Sequence, residues 1–227
     1  MRLVTWNCAR RNYLRKEVHE HLSALTPDIL LIQEAPRNAA TSSGLWIGGS
    51  RSFGLAVQTS HAFRLLGPVG EPRAPWSVAP VRVIAAHSFT LLAVWTKQGQ
   101  GFHKAVDQAL TYYSRSLRRS PCVVLGDFNA NARWDDAPPR HDGFLHLKER
   151  LRNDFGLKSA YHTHTGQGFG KERRMTHVHR ANGRSYHIDY CFVPNRWYVR
   201  DVQILSRSPW RSLSDHFPLV VDVLPRW

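Results

Sequence analysis

Apolar runs along this chain are short, and several end on a polar residue. Val123–Leu125 is apolar, Gly126 interrupts the run, and Asp127, Phe128 and Asn129 follow. A short apolar run bounded by turn residues predicts a buried strand, and the glycine allows a sharp turn as it ends. Asp127 and Asn129 are two apart and leave an extended backbone on the same side. Four more stretches share the pattern. Leu3–Asn7 (LVTWN) ends in Asn7, and Ile29–Glu34 (ILLIQE) ends in Glu34. Tyr186–Val193 (YHIDYCFV) carries Asp189 inside the run, and in Asp215–Val223 the pair Asp215-His216 opens the apolar stretch Leu219–Val223. A charge within an apolar strand is costly to bury without a partner. Five such strands are hard to explain as five unrelated turns.

Other segments carry a helical period. Leu14, Val18, Leu22 and Leu25 form one stripe, which predicts a helix over Tyr13–Leu25 ended by Pro27 and Asp28. Phe102, Val106, Ala109, Leu110, Tyr113 and Leu117 predict a second over Phe102–Leu117, and His146–Phe155 a third. Arg115, Arg118 and Arg119 at the second helix's C-terminal end are accounted for by the helix dipole. Gly54–Thr59, Phe63–Leu66 and Tyr198–Leu205 read as strands, and Val81–Ala86 with Thr90–Thr96 as a hairpin around His87-Ser88. Asn38–Ser52 (around Leu45-Trp46), Gly67–Pro80 (with Trp76) and Asp135–Asp142 read as loops. Asn182-Gly183 predicts a hairpin turn between Met175–His179 and Tyr186–Val193. The opening strand–helix–strand unit suits a layered α/β fold.

The chain has 227 residues, enough for one substantial core or two small ones. Because the polar strand ends are spread from start to finish, residues 1–227 are expected to form one domain. Lys and Arg number 31 against 17 Asp and Glu, a net charge of +14. That excess points to a polyanionic partner, most simply nucleic acid, against the plain alternative of an ordinary basic protein. The odd set Cys8, Cys122 and Cys191 lies in or beside apolar strands and reads as buried free thiols in a reducing compartment. Neither a signal peptide, a membrane span nor a basic amphipathic helix is evident. The expectation is a soluble, cytoplasmic, monomeric protein with no membrane partner.

Several features have a bland and a functional reading. GDFN alone is an Asx turn closing a strand. Arg10, Arg11, Arg15 and Lys16 are a solvated helix start or a phosphate-contacting cluster beyond Asn7. His162/His164 and His177/His179 have metal-ligand spacing, but with no Cys or carboxylate partner in view a hairpin is favoured over zinc. Lys171, Arg173, Arg174, Arg180 and Arg184 would rim that hairpin, with Phe169 and Tyr186 able to stack a base, or would be a solvated loop.

Taken in order, WN, QE, GDFN, IDY and SDH resemble the endonuclease/exonuclease/phosphatase superfamily, over Trp6 to Pro218. The resemblance implies a DNase I-like four-layer α/β sandwich: two mostly antiparallel sheets packed face to face, with helices outside. It implies a Mg²⁺- or Mn²⁺-dependent phosphodiesterase, with Glu34 as principal metal ligand supported by Asn7 and Asp215. Asp127 would hold or deprotonate the attacking water, with Asn129 orienting the phosphate. His216 would donate to a phosphate oxygen, and Asp189 would fix its tautomer. The family places a His or Tyr near Trp95, Thr96 and Lys97, where this chain has neither; Lys97 or His103 could supply the contact. Arg10, Arg11, Lys97, Arg133, Arg173 and Arg174 are the candidate substrate contacts. The leading reading is a nuclease, with DNA favoured over RNA. WNCARRN lacks the Asp two residues beyond Asn7 that abasic-site enzymes carry. The alternatives are a phosphatase or phosphodiesterase on a small or lipid phosphate, and a non-catalytic nucleic-acid-binding domain; a membrane-acting enzyme is disfavoured because Trp46 and Trp76 are the only candidate exposed apolar loop residues in the first half.

Overall fold

A computed structural model describes residues 1–39, 43–48, 52–67, 74–97, 102–135 and 143–227. β1 (Arg2–Asn7) leads through a 3₁₀ turn to α1 (Lys16–Ala24) and β2 (Ile29–Pro36). β3 (Leu45–Ile47), β4 (Phe53–Thr59), β5 (Arg64–Leu66), β6 (Val78–Ile84) and β7 (Phe89–Trp95) follow. α2 (Phe102–Tyr112) and α3 (Ser114–Arg118) precede β8 (Cys122–Asp127), and α4 (Phe144–Phe155), β9 (Leu157–Ser159) and α5 (Ala160–Thr165) come after it. The chain closes with β10 (His177–Val178), β11 (Ser185–Tyr186), β12 (Asp189–Pro194), β13 (Tyr198–Ile204), α6 (Trp210–Leu213) and β14 (Leu219–Leu224).

The strands form the two sheets expected. One runs β13-β14-β1-β2-β4-β3, the other β5-β6-β7-β8-β12-β9, and β10-β11 is a separate ribbon. Each large sheet holds one parallel pair, β1–β2 or β7–β8, and is otherwise antiparallel. Parallel neighbours need a crossover; α1 supplies the first, α2 and α3 the second. The two-residue period sorts the core. In β7 and β8, Phe89, Leu91, Ala93, Trp95, Val123 and Leu125 face the space between the sheets. Leu92, Val94, Cys122 and Val124 face outward under α2, α3 and α4, with Leu110, Leu117 and Leu151. Among the described residues no helix is long and apolar enough to cross a membrane.

The structure corrects several boundaries. The first helix begins only at Lys16. Arg10–Leu14 is a 3₁₀ turn, Arg15 is extended, and Leu14 is 58% exposed, so Val18 and Leu22 carry the buried stripe. The helix over Phe102–Leu117 is two helices, broken where Tyr113 leaves helical geometry. Leu45–Ile47 is an edge strand rather than loop, with Trp46 donating to the Ala35 carbonyl. Trp76 packs edge-on against Trp95, so neither tryptophan is an exposed loop residue. Tyr186–Val193 is not one strand. Thr176 Oγ accepts the N–H groups of Ile188 and Asp189, and the chain leaves the ribbon there to enter the second sheet. Asp215 and His216 lie before β14, not within it. The short helix α5 (AYHTHT) has too few apolar residues to show a helical period. Most of the Asp135–Asp142 loop, and part of Gly67–Pro80, fall outside the described residues.

Gly126 is where the central strand depends on a missing side chain. Its φ is 137°, and an added Cβ would meet the Val94 carbonyl oxygen at 2.1 Å. Gly126→Ala should therefore cost about 2–4 kcal/mol, read as a lower urea midpoint. A wild-type midpoint would show that the strand end accommodates the methyl.

Candidate active site

The C-terminal ends of β1, β2 and β8 and the N-terminal end of β12 meet at one edge of the sandwich. β1 and β2 run parallel, bringing Asn7 opposite Gln33 next to Glu34. β12 runs against β8, so Asp189 lies opposite Asp127. β14 runs against β1, which places the preceding Asp215 and His216 at the same edge. Asn7, Glu34, Asp215 and His216 come from the first sheet and its edge, and Asp127, Asn129 and Asp189 from the second.

Hydrogen bonds join the two sets. Asn7 Nδ2 donates to Asp127 Oδ2 at 3.0 Å and lies 3.5 Å from Glu34 Oε1. Asn129 donates to Asp127 twice, from its backbone N–H at 2.9 Å and from Nδ2 at 3.0 Å. Across the mouth, His216 Nδ1 is 3.0 Å from Asp189 Oδ2, and His216 Nε2 is 3.9 Å from Asp127 Oδ2. Ser214 Oγ donates to the Asn7 carbonyl and accepts from the His216 N–H, and Trp6 Nε1 donates to the His216 carbonyl. Thr176, Ser214 and Trp6 thus support the site; of these, Thr176 had no sequence signal.

Burial sets the electrostatics. Asp127 is fully buried, and loss of solvent pushes its carboxyl up to about 7, against the pull of His216 and the Asn7 and Asn129 hydrogen bonds. Burial alone would lower the His216 imidazole. Asp189, Asp127 and Asp215 outweigh it and raise it to about 9, so the ring is cationic at neutral pH. The neighbouring His177 ring, 4.5 Å away, is pushed down to about 4 by burial and by His216, and is neutral.

The backbone is strained at the same place. Five non-glycine residues have left-handed φ among the described residues, and four of them, Ala9, Arg10, Glu34 and Asn129, line this mouth. Glu34 (φ 55°) sits where the β2–β4 pairing skips register. Such conformations cost of order 1–3 kcal/mol each and collect at functional sites.

This arrangement has relatives. The family model described as endonuclease/exonuclease/phosphatase family matches residues 4–216. The chain belongs to the endonuclease/exonuclease/phosphatase family. No curated protein matches it by sequence. The 3′ phosphatase NExo from Neisseria, bound to product DNA hairpin, is 21% identical with a TM-score of 0.73, covering 99% of this chain and 100% of that one. An AP endonuclease from Archaeoglobus fulgidus is 17% identical with a TM-score of 0.68, over 98% of each chain. The human Nocturnin catalytic domain with bound sulfate is 17% identical with a TM-score of 0.66, over 99% of this chain and 93% of that one. At these identities the likeness is one of fold.

Endonuclease/exonuclease/phosphatase enzymes are phosphoester hydrolases that depend on a divalent metal, and the donor set here fits a hard cation. The mouth offers carboxylate oxygens. Asp127, Asp189 and His216 also bring ligand-type atoms within 4.8 Å of one another, although the cationic His216 ring has no free lone pair to give a metal. The soft Cys8 thiol is turned toward the Glu34 and Arg10 carbonyls, and burial pushes it up to about 12. Asn7 Oδ1 accepts from the Ala9 N–H, so as assigned its NH₂ faces the carboxylates.

The outer candidates divide. Arg10 Nε lies 3.1 Å from Glu34 Oε2, directly at the family's site. Asp215 faces Arg180 at 4.0 Å and has no hydrogen bond to Glu34 or Asn7 among the described residues. At the family's His/Tyr position, Trp95 is buried between the sheets and the Thr96 hydroxyl donates to the Phe128 carbonyl. Lys97, half-buried beyond them, lies over Trp95 at 3.6 Å and Trp76 at 4.8 Å. His103 sits instead on α2. Arg133 is tied to the Gly170 carbonyl at 2.7 Å. Arg173 is exposed, and Arg174 lines a separate cavity of about 410 Å³ beside Leu205–Ser208. The Arg11 side chain falls outside the described residues. Phe169 stacks on His162 at 3.6 Å.

Behind the basic rim, Glu172 is almost fully buried. It accepts from Gly170 N at 3.0 Å and Asn131 Nδ2 at 3.4 Å, and pairs with His162 Nε2 at 3.1 Å. Burial would raise its carboxyl, but these partners hold it down at about 2. A depressed folded-state value stabilises the fold above the ordinary carboxylate range, and that stability is lost as pH falls toward 2. Wild type should lose up to roughly 3 kcal/mol from this source between pH 4.5 and 2, and Glu172→Gln should flatten that part of the curve. Parallel acid curves in urea denaturation would contradict the assignment.

Proposed function

We propose that this protein is a divalent-metal-dependent nuclease that hydrolyses phosphodiester bonds, with DNA favoured over RNA. We also propose that residues 1–227 act as one domain, as a monomer. The observation that carries the reading is the joining of Asn7, Glu34, Asp127, Asn129, Asp189 and His216 at one mouth between the sheets. A nucleic-acid substrate is supported by the net charge of +14 and by the aromatic rings beside His216. Tyr186 stacks near His177 at 6.3 Å, and the exposed Trp134 meets Tyr186 at 5.0 Å. Arg133 precedes Trp134 in the chain, and Arg180 faces Asp215 at 4.0 Å. Such rings suit bases, and such cations suit the backbone. Three buried unpaired thiols suit a reducing, cytoplasmic setting.

Glu34 would hold Mg²⁺ or Mn²⁺, with Asn7 beside it and Asp215 at the open side. When bound, the cation neutralises phosphate charge and aligns the scissile group. Asp127 accepts the proton of the attacking water, and burial gives it the affinity to do so near neutral pH. Asn7 and Asn129 fix its carboxylate; the Asn129 amide is spent on Asp127 and the Thr96 carbonyl, so it orients the base more directly than the phosphate. Asp189 accepts from His216 Nδ1, leaving the cationic Nε2–H to donate to a non-bridging phosphate oxygen.

Purified protein should cut at least one of single-stranded DNA, duplex DNA, abasic duplex or RNA with Mg²⁺ or Mn²⁺ and none with EDTA. Asp127→Asn should lower turnover by about 10³-fold or more, with the unfolding midpoint nearly unchanged. Turnover of a small phosphomonoester alone would replace this reading with a phosphatase. Metal-independent binding without turnover would leave a binding domain.

Glu34→Gln should raise the Mg²⁺ needed for half-maximal rate by tenfold or more, or abolish activity. An unchanged metal titration would remove Glu34 as the ligand.

A further inference from the structure

A groove of about 490 Å³ opens at the far end of β8 from Asp127. Its walls are Arg118 and Arg119 at the end of α3, Asp154 and Phe155 at the end of α4, and Asn195 and Arg196 after β12. β8 is six residues long, so the groove lies about 17 Å or more from the mouth.

The charge in this groove is unmatched. Among the described residues, Arg118, Arg119, Arg196 and the adjoining Lys158 form no ion pair. Arg118 lies over the Phe155 ring at 5.3 Å. Arg196 Nε donates to the Arg226 carbonyl at 2.7 Å, and Lys158 Nζ to the Asn195 carbonyl at 2.9 Å. Asp154, the acid in the wall, is turned to Arg150 at 3.4 Å. Burial and the Arg226 charge push the Lys158 ammonium below its usual value, as expected where positive charge is crowded. The helix dipole accounts for Arg118 and Arg119 only weakly, because α3 is five residues long. It does not account for Arg196 or Lys158, which belong to other elements.

A guanidinium fork matches phosphate oxygens. The aromatic face present, Phe155, is covered by Arg118, so the groove offers charge to a backbone rather than a platform to a base. We propose that it is a second nucleic-acid contact, a remote anchor for the phosphodiester backbone of a substrate already engaged at the mouth. This rests on the nuclease reading. At 3.4 Å per nucleotide along a duplex strand, about five nucleotides or more must separate the two contacts. Length therefore becomes part of recognition, and short substrates meet only the mouth.

The test compares a fluorescent hairpin with a 4-base-pair stem (the 4-mer) and a 20-base-pair fluorescent duplex (the 20-mer) by anisotropy in EDTA across a salt series. The triple variant Arg118→Ser, Arg119→Ser, Arg196→Ser is set against a matched loss of three exposed arginines elsewhere, Arg64→Ser, Arg200→Ser, Arg211→Ser. The groove variant should bind the 20-mer about tenfold or more weaker, with the slope of log affinity against log salt reduced by about 2. Its 4-mer affinity and 4-mer turnover should stay at wild type, and its unfolding midpoint should match the control variant's. An unchanged 20-mer affinity, an equal loss at both lengths, or an equal loss in the control variant overturns the anchor alone. Wild-type protein that neither binds nor cuts any nucleic acid overturns the nuclease reading, and the anchor with it.

Discussion

A carboxylate without solvent is the constraint around which this structure is arranged. Asp127 is fully buried between two sheets, and an ionised group in that setting must be hydrogen-bonded or must give up its charge. Three amide donors and a cationic imidazole surround it. They come from three separate parts of the chain, at Asn7, Asn129 and His216, so the packing of one sheet on the other and the electrostatics of the site are a single problem. The same closure that buries the apolar faces also brings Asn7 of the first sheet to Asp127 of the second.

Strain and position go together at that edge. Glu34 and Asn129 hold left-handed backbone, and Gly126 has no room for a side chain beneath the Val94 carbonyl. Each gives up local stability that the apolar strands behind it supply. β1, β2, β7 and β8 are buried almost throughout, and a rigid core of this kind can hold a polar constellation in a conformation that a free chain would leave.

Charge is distributed in opposite senses inside and outside. The mouth gathers Glu34, Asp127, Asp189 and Asp215, whereas the chain as a whole carries a net charge of +14. On the proposed nuclease reading, an acidic site in a basic chain would meet a polyanionic substrate whose backbone the positive charge attracts. Glu172 extends this logic inward. A buried acid paired with His162 and the Gly170 N–H fixes the segment from which Arg173 and Arg174 project.

Strand identity was legible in the sequence, because a period of two and a run of apolar residues are local properties. So was the set Asn7, Glu34, Asp127, Asn129, Asp189 and His216, since each is the polar interruption of an apolar run. Which of these groups touch was not legible: Asn7 and Asp127 are 120 residues apart, and no local rule states that β12 lies beside β8. Tertiary contacts also decided where local patterns failed. Thr176 broke the strand at Ile188 by taking two backbone N–H groups, Phe169 was drawn onto His162, and the extended Arg15 cut Leu14 from its helical stripe. The chain by itself determined which residues would be buried and which polar groups would interrupt the burial. The fold alone decided their partners and their protonation, because both depend on burial and on charges brought together from distant parts of the chain.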